Sequence, residues 1–179
     1  MTNKKKMNSS LQSLIVLLSI CLVVAVLLAA INLLTAPKIE AANQAAEKEA
    51  LRSVLDTATE FEKIEGDCPE TVTAFYRDLG GSGYVAILAA KGYDSANPMK
   101  IAVGFDADGK ILAVKVISAS GETSGIGTKV TGEDFLAQFI GQDESLDGVD
   151  TISGATISSS AFREAVRDAS AVVAKEVAS

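Results

Sequence analysis

Apolar positions along this chain change their spacing from segment to segment, and each spacing predicts an element. From Leu14 to Leu34 they are continuous, 21 residues without a charge in which only Ser19 and Asn32 are clearly polar. At ~1.5 Å per helical residue, such a run reaches about 30 Å, the thickness of a bilayer core. It is too long for the apolar region of a cleaved signal peptide, about 7–15 residues. It also ends in Leu33-Leu-Thr-Ala-Pro37 and not in a small-residue cleavage site. Bulky Ile20 before Cys21 excludes a lipoprotein signal. The expectation is an uncleaved single transmembrane helix over 14–36, behind a short segment, residues 1–13.

Beyond Lys38 the pattern becomes helical and amphipathic. Ala, Glu and Lys dominate to about Glu65, with Leu51, Val54, Leu55, Ala58 and Phe61 as an apolar stripe. This predicts a juxtamembrane helix over 37–66, ended by Gly66-Asp-Cys-Pro69. Periodicity alone allows a stalk for partner subunits or a helix packed on its own domain. Strand-like runs follow at Thr71–Tyr76, Tyr84–Ala90, Met99–Phe105 and Ile111–Ile117. The last two flank Asp106-Ala-Asp-Gly-Lys110, a hairpin signal. Glu133–Ile140 reads as a short helix with Phe135, Leu136, Phe139 and Ile140 on one side. The final helix carries Phe162, Ala165, Val166, Ala169, Val172, Val173 and Val177 at helical spacing. Helix, strands, helix, turn and helix predict an α+β domain over 67–179, an antiparallel sheet with flanking helices.

Charge assigns the sides of the membrane. Lys4, Lys5 and Lys6 precede the span with no acidic residue nearby, which predicts a cytoplasmic N-terminus and an extracytoplasmic domain. Of 16 Lys+Arg and 23 Asp+Glu, only those three lysines lie before residue 37, so the remainder carries 13 against 23, a net charge of −10. That argues against nucleic acid as a partner. Histidine is absent, which removes Ser-His-Asp and Cys-His nucleophiles and the commonest haem and zinc ligands. Two cysteines, Cys21 in the span and Cys68 beyond it, make no disulfide framework or iron–sulfur site. No metal site is expected, and redox chemistry would need an added cofactor.

Four segments invite a ligand. Asp106-Ala-Asp108-Gly109 is not a calcium loop, because Ile117 stands at its twelfth position. Gly80-Gly-Ser-Gly83 lies between strands, where a turn is expected. Ser120-Gly-Glu-Thr-Ser-Gly-Ile-Gly-Thr-Lys129 lacks Walker A spacing, and its composition alone reads as a loop. Asp150-Thr-Ile-Ser-Gly-Ala-Thr156 sets a hydroxyl at the start of the final helix. Free amides and the helix dipole favour an anion there, although a Ser/Thr helix cap would look the same.

The exact strings carry a resemblance. Asp150, Ser153, Gly154, Ala155 and Thr156 resemble the flavinylation motif of the FMN-binding domain family. Glu122-Thr-Ser-Gly-Ile-Gly127 resembles that family's Glu-Thr-Pro-Gly-Leu-Gly loop, with Lys129 matching a lysine two residues on. Ser124 and Ile126 depart from the family's proline and leucine, and a histidine frequent before the loop is missing. With the anchor, the chain is similar to the G subunits of Rnf ferredoxin:NAD oxidoreductases and, more distantly, to the C subunits of sodium-pumping NADH:quinone reductases.

The resemblance implies a single FMN esterified through its phosphate to Thr156, attached by a separate magnesium-dependent flavin transferase with FAD as donor. Asp150, Ser153, Gly154 and Ala155 would form the sequence and turn read by that enzyme. Glu122, Thr123, Gly125, Ile126 and Gly127 would line the isoalloxazine side, with Lys129 supporting the loop or phosphate. The implied role is a non-autonomous electron carrier in an ion-translocating complex of the cell membrane, partnered by other Rnf subunits. The alternatives are an anchored scaffold without redox role, or a flavin carrier of another extracytoplasmic chain.

Overall fold

The computed structural model describes residues 9–58, 60–66 and 68–178. Lys4, Lys5 and Lys6, on which the expected orientation rests, lie outside them, as does Asp67 of the expected helix stop. The chain forms two units, the first ending at Gln44 and the second beginning at Ala45.

Helix α1 (Ser9–Val54) supplies the whole of the described first unit. Its apolar side chains there are exposed, Leu14, Leu18, Leu22 and Leu28 among them. Among the described residues it is the one helix long and apolar enough to cross a membrane. Ser19 and Thr35 donate their hydroxyls to the Ile15 and Ile31 carbonyls, at 2.8 and 2.9 Å. That satisfies both within the helix, as an apolar solvent requires.

The second unit is a five-stranded antiparallel meander in the order β1-β2-β3-β4-β5. The strands are β1 (Phe61–Lys63), β2 (Val72–Asp78), β3 (Gly83–Ala90), β4 (Met99–Asp106) and β5 (Ile111–Ser118). Side chains alternate between faces. Phe75, Ala86, Leu88, Ile101, Val103 and Phe105 share one core with α3 (Thr156–Val177), whose Phe162, Ala165, Val166, Ala169 and Val173 are buried. Val85, Ile87 and Ala102 share the other with Ala50, Leu51, Val54 and Leu55 at the end of α1. Burial on both faces explains why β3 and β4 read as continuous apolar runs. Gly104 belongs to the second face: a Cβ there would lie 2.2 Å from the Val54 carbonyl oxygen.

Two expectations are corrected. The helix expected to reach about Glu65 stops at Val54, and Phe61 belongs to β1, paired with Asp78. The stripe Leu51, Val54, Leu55, Ala58, Phe61 does come together, but on the sheet. Packing on its own domain is therefore the reading that holds for the end of α1. The expected helix Glu133–Ile140 is one α-turn, α2 (Glu133–Leu136), continued by a 3-10 turn, Ala137–Phe139. Its Phe135 and Phe139 meet Phe162 with ring centroids 5.4 Å away in both cases, whereas Ile140 is exposed. This cluster seats α3 on the sheet, each buried ring contributing about 1.5–3 kcal/mol.

Candidate functional site

Chain segments from three places meet where α3 begins. The first is the turn before the helix. Ala155 N–H donates to the Ile152 carbonyl at 2.9 Å, and Gly154 takes φ +80°, a left-handed conformation suited to glycine. Ser159 secures the turn from inside α3: its hydroxyl donates to the Ala155 carbonyl at 2.9 Å and accepts the Ile152 N–H at 3.1 Å. Asp150 N–H donates to Gln138 Oε1 at 2.9 Å, fixing the turn's approach.

Ala155 occupies the cap position of α3, and no side-chain oxygen caps the helix. A Ser/Thr cap is thus not what this segment builds. Among the described residues no side chain accepts from the first-turn amides, and with the helix dipole they make the start of α3 suited to an anion. Thr156 is the first helical residue and is exposed.

The second segment is the glycine-rich loop after β5. The Thr123 carbonyl accepts N–H groups from Ile126 and Thr128, at 3.1 and 3.2 Å. Gly125, at φ +74°, donates its N–H to Thr128 Oγ1 at 2.9 Å. The chain then enters a 3-10 turn, Gly127–Thr131. Glu122 is buried, and its carboxylate accepts bonds from the Ser158 hydroxyl and, at 3.2 Å, from Tyr93 N–H.

Tyr93 belongs to the third segment, the exit from β3. Asp94 shapes the turn behind it. The Asn97 side-chain N–H beside Asp94, and the Ala96 backbone N–H, hold its carboxyl below the usual carboxylate range.

Together the segments enclose a cavity of about 460 Å³, within the span of small-molecule sites, about 300–1,000 Å³. Thr123, Ile126 and Gly127 form one wall, Gly154 to Ser158 another, and Tyr93 closes the third side. Tyr93, Ile126 and Ile157 are exposed at its rim, 69%, 50% and 62% respectively, an apolar clamp around polar helix amides. That combination suits a ligand with a flat apolar body and an anionic end.

Of the expected residues, Thr156, Gly154, Ala155, Thr123, Ile126 and Gly127 therefore come together at the cavity. Glu122 stands behind its wall. Gly125, Lys129, Asp150 and Ser153 lie outside the lining. Tyr93, Ile157, Ser158 and the turn-holding Ser159 were not legible from sequence. The one signal that could have found any of them was the apolar Ile157 beside Thr156, off the helix's buried stripe.

Comparison with known proteins agrees with these segments. Residues 92–171 match the family model of the FMN-binding domain, a range that holds every cavity wall from Tyr93 to Ser158. Residues 1–54 match the RnfG N-terminal region. The chain is 29% identical over 136 residues to the G subunit of the ion-translocating oxidoreductase complex of Methanosarcina acetivorans, covering 69% of this chain and 72% of that protein.

Proposed function

Since the chain belongs to the family of Rnf complex G subunits, with their FMN-binding domain, we propose that it carries electrons through one FMN esterified to Thr156. The observation that carries this reading is an exposed threonine hydroxyl on the first, uncapped turn of α3, at the wall of a clamp-shaped cavity. The open amides of that turn would hold the phosphate, and Tyr93, Ile126 and Ile157 would flank the ring system. Bound there, FMN supplies one- and two-electron transfer. The chain's own residues orient it, exclude water from one side and prevent its loss. No histidine is present to activate the Thr156 hydroxyl. The ester would therefore be made by a separate magnesium-dependent flavin transferase, the Thr156 oxygen displacing AMP from FAD.

The wider setting follows the family. Residues 14–36 anchor the chain once in the cell membrane, 37–66 lead away from it, and 67–179 hold the flavin on the extracytoplasmic side. Other Rnf-type subunits are its partners, in a complex that moves electrons between ferredoxin and NAD while translocating ions.

Peptide mass spectrometry of the native membrane protein tests the reading. The fragment containing Thr156 should carry the mass of FMN less one water, and Thr156→Ala should remove it while the protein remains folded. An unmodified fragment, from cells with an active flavin transferase, would overturn the carrier role in favour of a scaffold.

A further inference from the structure

We propose that Glu122 is a positioning residue that clips the 122–127 loop to the start of α3 and sets a fixed negative charge behind the cavity, lowering the reduction potential of the flavin held there. The proposal rests on the reading of the cavity as an FMN site.

Glu122 is 8% exposed, and a carboxylate is seldom buried without a partner of opposite charge. Among the described residues no lysine or arginine side-chain nitrogen lies within 4 Å of its carboxylate oxygens. Its two oxygens instead accept one bond each, Oε2 from the Ser158 hydroxyl and Oε1 from Tyr93 N–H at 3.2 Å. Both oxygens of the carboxylate are thus engaged, one from each neighbouring segment. These bonds span 36 and 29 residues, so one side chain joins all three segments of the site.

The backbone is shaped around this group. A Cβ on Gly92 would fall 1.9 Å from Oε1, and one on Gly127 would fall 2.4 Å from Oε2. The carboxylate thus occupies a slot that two glycines keep open. Tyr93, Gly127 and Ser158 are cavity walls, and each adjoins the carboxylate, which is itself not part of the lining. Glu122 therefore reaches a ligand only through them. A negative charge held in place beside the cavity opposes the arrival of electrons there.

The test uses the full-length flavinylated chain in detergent, with flavin at Thr156 first verified by mass spectrometry. Glu122→Gln keeps the shape and the clip: its oxygen accepts from Tyr93 N–H and its amide donates to the Ser158 oxygen, while the charge is lost. Spectroelectrochemical titration should show its midpoint potential, read per bound flavin, shifted upward from wild type. Ser158→Ala retains the charge and should shift it less. An unchanged potential in Glu122→Gln would overturn the electrostatic role and leave a merely structural one.

The clip is read separately, in unflavinylated Thr156→Ala protein. Adding Glu122→Ala should accelerate hydrogen exchange at the Tyr93 amide and across 122–131, and unchanged protection would overturn it. Absence of flavin from wild-type Thr156 would sink the functional reading instead. The exchange experiment would still decide the clip.

Discussion

Two glycines in one loop should fail for different reasons when replaced by alanine. At Gly127 the new Cβ would stand 2.4 Å from Glu122 Oε2, 3.0 Å from Ser158 Oγ and 3.2 Å from Glu122 Cβ. The carboxylate cannot retreat, because Gly92 already hems its other oxygen. Relief requires breaking a bond from Ser158 or Tyr93. Overpacking costs about 1–3 kcal/mol, and a lost hydrogen bond to a charged group about 1.5–3 kcal/mol. Against these stands a gain of about 0.4–1 kcal/mol from a stiffer unfolded chain. The net loss should be about 3 kcal/mol. At Gly125 the Cβ meets nothing within 4 Å, and only φ +74° opposes it, for about 1–2 kcal/mol before the same gain. For a unit of this size, about 3–4 °C of Tm accompanies each kcal/mol. Gly127→Ala should therefore melt about 10 °C below wild type and Gly125→Ala about 3 °C below, by circular dichroism of the full chain in detergent. A Gly127→Ala melting point equal to or above that of Gly125→Ala would refute the slot.

Other consequences can be measured with single substitutions. Phe162→Ala removes the ring joining Phe135 and Phe139 in a fully buried position, and should cost about 3–5 kcal/mol in urea unfolding. Thr156→Ala changes an exposed side chain, so its stability should stay within about 0.5 kcal/mol of wild type even as the flavin is lost. Burial, then the charge of Glu47 and the bond Tyr76 donates to it at 3.3 Å, push the Tyr76 phenol above its ordinary value. Folding thus favours the protonated phenol. Its stabilisation is fully present below about pH 10 and is lost as pH rises through the folded value. Glu47→Gln should flatten the fall of stability above that pH, and an identical slope would refute the coupling.

The sequence revealed what repeats or caps locally and missed what depends on distant contacts. Four strands were legible to within two residues, since their apolar runs are bounded by Gly80–Gly83, Gly92 and Asp106–Lys110. Strand β1 was not, being three residues with a half-buried Phe61 as its only apolar member. The spacing of Leu51, Val54, Leu55 and Ala58 mimics a continuing helix, yet the chain unwinds after Val54 so that Phe61 can join the sheet edge beside Tyr76. Thr156 and the 122–127 loop were legible as strings. The placement of Glu122 behind the wall and of Tyr93 at the rim was not, because partners 36 and 29 residues away decide it.

The meander has a consequence for how the protein is made. Every strand pairs with its sequence neighbour, so the hairpins can close one after another as the chain emerges. One face of that sheet nevertheless stays wet until α3, the last described element, delivers Phe162, Ala165, Val166, Ala169 and Val173. Thr156 opens that same helix. On the function proposed above, the hydroxyl that would accept the flavin and the final piece of core arrive together, so a transferase reading the folded turn would meet only finished domains. Attachment would then serve as a proofreading step, reserving the cofactor for molecules that have completed their fold.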